Sequence, residues 1–168
     1  YDMPLYRTLY ELEKGGLSPE EFAGSLTRWL NAELLTTPEG YSKMRFLGNH
    51  DTVSWVFFKT RAPKVYGVDK AKALWALISL IDGVPMLYQG DEDPKLYNGE
   101  GPELREFFSG LFGARKKYLG NKYSMEYEFT GTSVIAFNRS YNGSNKKILI
   151  NMSPDRAAYH IKSEVSRV

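Results

Sequence analysis

The sequence contains no cysteine, no large excess of either charge and no long hydrophobic run, and each absence excludes a class of protein. Without cysteine among its 168 residues, the chain can form neither a disulfide framework nor a thiolate metal site. The absence of cysteine does not indicate whether the protein works in an oxidising or a reducing compartment. The 22 basic and 20 acidic residues leave a net charge of +2, which is too small to indicate nucleic acid or an anionic membrane as a partner. A neutral partner such as a polysaccharide is compatible with this small net charge.

The hydrophobic runs and the start of the chain bear on its location. The apolar stretch at 74–81 is far shorter than the roughly 20 residues that span a bilayer, so we expect a soluble protein, either cytoplasmic or secreted. The sequence starts at Tyr1 with no Met, basic region or apolar signal core, and we therefore expect a piece of a longer protein. With 42% hydrophobic residues, the chain can bury a core of its own.

Helical patterns alternate with short apolar runs along the first two thirds of the chain. The clearest helix start is Ser18 followed by Pro19, and Asp69 is a second candidate N-cap. Helices are predicted over residues 18–36, 69–81 and 104–118, and short buried strands over 43–47 and 84–88. This alternation predicts an α/β architecture with a parallel sheet.

Beyond Gly120 the sequence becomes rich in β-forming residues. Three such runs, "YSMEYEFT", "SVIAFNRS" and "KKILINMS", are separated by "GT" and by "YNGSN", and the second separator is a typical hairpin turn. We expect a small antiparallel sheet that continues to the end of the chain.

The run "RFLGNHDT", residues 45–52, ends abruptly on polar side chains. In a parallel sheet covered on both faces, strands are continuous apolar runs, and the working residues sit where those runs end. Asn49, His50 and Asp51 are therefore candidates for a site at the carboxyl end of a strand. The run "GVPMLYQGDE", residues 83–92, closes in the same way.

Taken in this order, with helical sequence between them and a β-rich tail behind, the two runs resemble the strand-seven and strand-eight motifs of the α-amylase family of glycoside hydrolases. The resemblance implies a partial (β/α)8 barrel, units six to eight, over residues 1–119. It also implies a family-type antiparallel β-domain over residues 120–168. As a full protein, such an enzyme would cleave α-glucosidic bonds in starch-like or malto-oligosaccharide substrates with retention of configuration.

The resemblance also implies roles for single residues. Asp51 matches the family's third carboxylate, which binds sugar hydroxyls and helps to keep the neighbouring acid protonated. His50 and Asn49 would bind or shape the site around the substrate, with Arg45 shaping the strand end, and Tyr88 could stack on a sugar face. The family's nucleophile and acid lie on strands for which this sequence has no motif. We therefore expect the chain alone to be inactive.

The same resemblance sets the expected cofactors and partners. We expect no cofactor or metal in this chain, while calcium is possible in the upstream part of the protein. An exposed strand edge invites pairing with another chain. We therefore expect association with the N-terminal half of the barrel or with a second copy.

Three alternatives stay open at this point. A transglycosylase or glucanotransferase of the same family would use the same residues with a sugar in place of water. A non-catalytic carbohydrate-binding or scaffold fragment would lack the upstream Asp and Glu. An unrelated α/β protein with chance motifs predicts that the strands at 43–47 and 84–88 are neither adjacent nor parallel.

Plainer interpretations exist for several of the residues. Asp51 could be a helix cap and His50 a loop histidine, and Trp55 could pack or stack on a sugar. The acidic run at 91–93 is more simply a set of loop organisers than a cation site, because three consecutive carboxylates do not easily converge on one ion. The basic residues at 115–117 are expected to be a solvated helix end.

Overall fold

The computed structural model describes residues 1–55, 58–97, 101–118, 124–141 and 143–159. Within these ranges the helices are α1 (Met3–Lys14), α2 (Pro19–Thr36), α3 (His50–Ser54), α4 (Ala62–Tyr66), α5 (Val68–Leu80) and α6 (Gly101–Tyr118), with a 3-10 turn at Pro94–Tyr97. The strands are β1 (Met44–Arg45), β2 (Val84–Pro85), β3 (Ser124–Glu128), β4 (Val134–Tyr141) and β5 (Ser144–Asn151).

The helices α2, α5 and α6 form where the sequence predicts helices, whereas α1 (Met3–Lys14) forms where none is predicted. Ser18 and Glu21 make a capping box, because Ser18 Oγ accepts from the Glu21 N–H at 3.3 Å and Glu21 Oε2 accepts from the Ser18 N–H at 3.0 Å. Such a box satisfies two N–H groups that have no partner within the helix. The start of α5 differs from the prediction, since Gly67 is its N-cap and Asp69 lies in its first turn.

The two short strands pair in parallel, with Met44 opposite Val84 and Arg45 opposite Pro85. This pairing contradicts what the unrelated α/β alternative predicts. The prediction of a partial (β/α)8 barrel is nevertheless wrong. The described strands form this two-stranded sheet and a separate three-stranded sheet, with no barrel-like arrangement among them. Each parallel strand has only two residues, far shorter than the strands whose tilt and stagger close a barrel.

The last three strands form an antiparallel sheet in the order β3-β4-β5, as their composition predicts. Its inner residues Tyr127, Phe137 and Ile150 belong to the same buried cluster as residues of the helices. β5 ends at Asn151, and residues 152–159 contain no strand. The expected continuation of the sheet over residues 160–168 lies outside the described residues. The predicted domain boundary at 119/120 lies outside the described residues.

Two arginines fix the carboxyl end of α5 to the elements packed on it. Arg115 of α6 donates to the carbonyls of Ser79 at 2.6 Å and Ile81 at 3.2 Å. Arg139 of β4 donates to the carbonyls of Leu80 at 2.8 Å and Ile81 at 2.9 Å. Carbonyls in the last turn have no partner within a helix, and a cation suits that end of the helix dipole. Arg115 is therefore a structural contact, and its prediction as part of a solvated helix end is wrong.

The core lies between the helices and the antiparallel sheet. Trp75 of α5 is fully buried, and its indole N–H donates to the Tyr97 hydroxyl at 3.0 Å. Phe108 of α6 packs edge-on against Trp75, with ring centroids 5.6 Å apart. None of the described helices has both the length and the hydropathy that a membrane span requires.

Candidate functional site

A buried charged network anchors the strand that leads to the candidate site. Arg45 of β1 has no exposed surface, and its guanidinium contacts Asp2 at 2.5 Å, Glu33 at 2.8 Å and Asp82 at 2.5 Å. Lys43 adds a further contact to Glu33 at 2.6 Å. These carboxylates come from the N-cap of α1, from α2 and from the turn between α5 and β2. The network therefore holds β1 against three separate parts of the chain.

Burial and charge act in opposite directions on Arg45. Desolvation is the largest influence and lowers its pKa, but the hydrogen bond to Glu33 and the charges of Asp82, Glu33 and Asp2 together raise the pKa above its usual value. Arg45 therefore stays charged, and it needs all of these carboxylates to offset its loss of hydration.

Asn49 turns the chain from β1 into the short helix α3. Its side chain is buried, and Oδ1 accepts from the Asp51 N–H at 3.0 Å and from the Thr52 N–H at 2.9 Å. In return, the Thr52 hydroxyl accepts from the Asn49 N–H at 2.8 Å. Asn49 is thus the N-cap of α3, a helix that is not among those predicted from the sequence.

His50 and Asp51 lie in the first turn of α3, on its exposed side. Their side chains are 60% and 58% exposed, and His50 Nε2 lies 3.5 Å from Asp51 Oδ1. The Tyr1 ring lies edge-on to the imidazole, with centroids 6.3 Å apart. Asp51 is therefore not the helix cap, since Asn49 has that role, and both side chains can reach a ligand in solvent.

Tyr88 lies in the tight turn that follows β2. Its N–H donates to Asp91 Oδ2 at 3.2 Å, and its carbonyl accepts from the Asp91 N–H at 2.9 Å. Arg61 lies over the ring face, with the guanidinium carbon 4.9 Å from the ring centroid, and also donates to Asp91 Oδ1 at 2.7 Å. The turn requires a glycine at position 90, where φ is +88°. A Cβ there would lie 3.1 Å from the Arg61 guanidinium.

The acidic run at 91–93 organises this turn. Asp91 is buried, while Glu92 and Asp93 are exposed and accept from the N–H groups of Gly90 and Lys95 at 2.9 and 3.0 Å. Burial is the largest influence on Asp91 and raises its pKa. Arg61 and the Tyr88 N–H lower the pKa, but they do not cancel the increase. In the described ranges, no group of three or more metal-ligating side chains could hold an ion.

Because β1 and β2 pair in parallel, the predicted site residues that follow them lie at the same end of the sheet. Asn49, His50 and Asp51 follow β1, and Tyr88 follows β2, so both segments leave the sheet at the same edge. Trp55 is 76% exposed just after α3, so it is available to a ligand and does not pack in the core. A cavity of about 590 Å³ lies between the Tyr88 turn and α6. Its lining includes Leu87 and Phe108 but none of His50, Asp51 and Tyr88.

Sequence reasoning missed Arg61 entirely. It lies outside both motifs and contacts the turn at 88–91 across about 30 residues of chain. A single Arg before a helix start carries no local signal of such a contact. By contrast, Asn49 followed by Thr52 matches an N-cap pattern, and that pattern could have identified α3.

Comparison with protein-family models, with curated proteins and with solved structures finds no match to this chain. The resemblance to the α-amylase family therefore rests on the two quoted motifs. The functional roles of Asn49, His50, Asp51 and Tyr88 stay predictions.

Proposed function

We propose that this chain is part of a retaining α-glucoside hydrolase acting on starch-like or malto-oligosaccharide substrates, and that His50 and Asp51 hold the sugar ring at the cleavage point. The observation that carries the proposal is the exposure of these adjacent side chains, 60% and 58%, directly after the buried N-cap residue Asn49. Exposed polar residues in the first turn of α3 are available for binding, whereas the fold itself does not need them.

The chemistry of the two side chains suits a sugar. A neutral imidazole can donate one hydrogen bond, and a carboxylate can accept two from neighbouring hydroxyls. With Nε2 and Oδ1 3.5 Å apart, the two groups can contact adjacent positions on one pyranose ring. The half-buried Tyr88 would add a flat apolar surface for the ring's CH groups.

Asp51 would support the reaction without forming a bond to the sugar. A retaining mechanism needs a carboxylate nucleophile and a carboxylic acid about 5 Å apart. A third negative charge nearby raises the pKa of the acid and so keeps it protonated. We assign neither the nucleophile nor the acid to this chain, and we propose that another polypeptide segment supplies both.

The exposed face of the parallel sheet supports association with such a segment or with a second copy. Met44 and Val84, which lie opposite each other in the pairing, are 39% and 54% exposed. Parallel sheets are normally covered on both faces. Analytical ultracentrifugation tests this point, and a chain that stays monomeric at high concentration and binds no upstream segment contradicts it.

The functional test is reducing-sugar release from a soluble α-glucan. The chain is assayed alone and mixed with a polypeptide segment that carries the proposed nucleophile and acid. We expect activity only in the mixture, and we expect Asp51→Asn to abolish it. Asp69→Asn is the matched control, because Asp69 is also an exposed acid in the first turn of a helix.

Other results have distinct meanings. Activity of the chain alone contradicts our assignment of the nucleophile and acid to another segment. Maltotriose binding without activity in any mixture favours the carbohydrate-binding or scaffold alternative. Production of longer oligosaccharides in place of reducing sugar identifies the transferase alternative.

A further inference from the structure

Two groups hold Tyr88 in place: Arg61, which lies outside its turn, and Asp91, which lies within the turn. The Arg61 guanidinium lies over one ring face at 4.9 Å, and Asp91 bonds to the Tyr88 backbone through both its N–H and its carboxylate. The two holding groups are themselves joined by the 2.7 Å contact between Arg61 Nη1 and Asp91 Oδ1. Backbone and ring are therefore fixed by one connected unit.

The carboxylate of Asp91 divides its oxygens between these tasks. Oδ1 accepts from Arg61, and Oδ2 accepts from the Tyr88 N–H. Asp91 is buried and Arg61 is only a quarter exposed at its side chain, so solvent competes weakly for the pair. Charge-assisted hydrogen bonds of this kind are shorter and stronger than neutral ones.

We propose that Arg61 is a positioning residue for sugar binding, acting through Tyr88. The inference rests on the proposed function, because it requires that Tyr88 stacks on a sugar. Stacking needs the ring to present one face in a fixed orientation, and a planar guanidinium on the opposite face supplies that constraint. Arg61 itself need not touch the substrate.

The test uses the chain itself and maltotriose as the probe, with binding followed by saturation-transfer NMR. The variants are Arg61→Gln, Arg61→Lys, Tyr88→Ala and the double variant Arg61→Gln/Tyr88→Ala. Arg28→Gln is the matched control, because the exposed Arg28 lies over the Phe129 ring at 5.8 Å, away from this turn. Thermal unfolding of each variant is measured in parallel.

We expect Arg61→Gln to weaken maltotriose binding by about threefold to tenfold, or about 0.7–1.4 kcal/mol, because the Tyr88 ring is no longer fixed in the orientation that stacks on the sugar. Arg61→Lys keeps the charge but not the planar fork, so it recovers part of that loss. The decisive result is the double variant. If Arg61 acts only through Tyr88, the double variant binds maltotriose as weakly as Tyr88→Ala does, and no more weakly.

Two results overturn the inference while leaving the proposed function in place. In one, the wild-type chain binds maltotriose and Arg61→Gln binds it equally well. In the other, the losses from Arg61→Gln and Tyr88→Ala add in full, which indicates independent effects. Wild-type chain that binds no maltotriose contradicts the proposed function and the inference together. If Arg61→Gln does not fold, Arg61→Lys carries the same comparison.

Discussion

Arg45 and the pair His50–Asp51 lie a few residues apart on one segment, yet their surroundings are opposite. Arg45 is fully buried and bound to three carboxylates. His50 and Asp51 are more than half exposed and lie beside each other at 3.5 Å. The buried charges around Arg45 thus fix the strand β1, whereas the polar side chains of His50 and Asp51 that follow it face solvent. The contrast separates residues that hold the candidate site in place from residues that are free to bind a ligand there.

Asn49 marks the boundary between these two regions. It is buried like Arg45, but it belongs to the same polar triplet as His50 and Asp51. Its side chain is committed to two backbone N–H groups of α3. Sequence alone groups the triplet as one functional unit, whereas the contacts divide it into one cap and two exposed groups.

Removing Arg45 tests the buried region and has the largest expected effect on stability. Arg45→Met leaves the buried Asp2 without this cation, while Glu33 keeps its contact with Lys43. Losing one partner of a buried ion pair costs about 3–5 kcal/mol. Urea denaturation followed by circular dichroism measures the loss. Arg28→Met is the control, since an exposed position changes stability by only about 0.5 kcal/mol. Equal stability of the two variants would show that the network contributes little.

Removing the cap tests the boundary residue. Asn49→Ala deletes the acceptor of two backbone N–H groups, and the loss of an N-cap costs about 1–2 kcal/mol. Asn49→Ser retains an acceptor at the same place and is expected to recover most of that loss. The same urea titration compares the two variants. An Ala variant as stable as the wild type would mean that α3 does not depend on its cap.

The pH dependence of Asp91 tests whether a buried carboxylate at the second strand end behaves like those around Arg45. Its folded-state pKa is raised, mainly by burial. The stability it contributes is therefore fully present below the unfolded pKa, near 3.8, and lost as pH rises through the folded pKa. Relative to Asp91→Asn, the wild type should gain stability as the pH falls from 7 to 4. A difference that stays constant with pH contradicts this direction.

The exposed pair has the smallest expected effect on stability. His50→Ala and Asp51→Asn should each change the free energy of unfolding by less than about 0.5 kcal/mol, because neither side chain is buried. Both should weaken maltotriose binding all the same. A large loss of stability in either variant would place these residues among the structural ones and weaken the proposed function.

Local signals in the sequence correctly predict α2, α5 and α6, but neither α1 nor α3 is predicted. The capping box at Ser18 fixes the start of α2, and the apolar runs locate both parallel strands and the antiparallel sheet. The barrel prediction failed because it extended a resemblance in two motifs to the strand arrangement of the whole chain. The apolar runs locate the two strands but do not say how many of their residues pair, and only two residues of each run do so.

The candidate site shows the same division. His50 and Asp51 are visible in the sequence because they end an apolar run. Arg61 and two of the partners of Arg45, Asp2 and Asp82, are not visible, because their contacts join residues 30 or more positions apart. Nothing in a linear pattern says which buried acid an arginine will meet.

The arginines at the end of α5 have a consequence for how this chain can be recombined. Arg115 and Arg139 reach the same helix end from α6 and from the antiparallel sheet, and both donate to the Ile81 carbonyl. A hybrid gene that exchanged the sheet for one lacking an equivalent of Arg139 would leave the Leu80 carbonyl without this donor. We therefore expect that the helices and the sheet have to be exchanged together in a hybrid protein, unless both arginines are preserved.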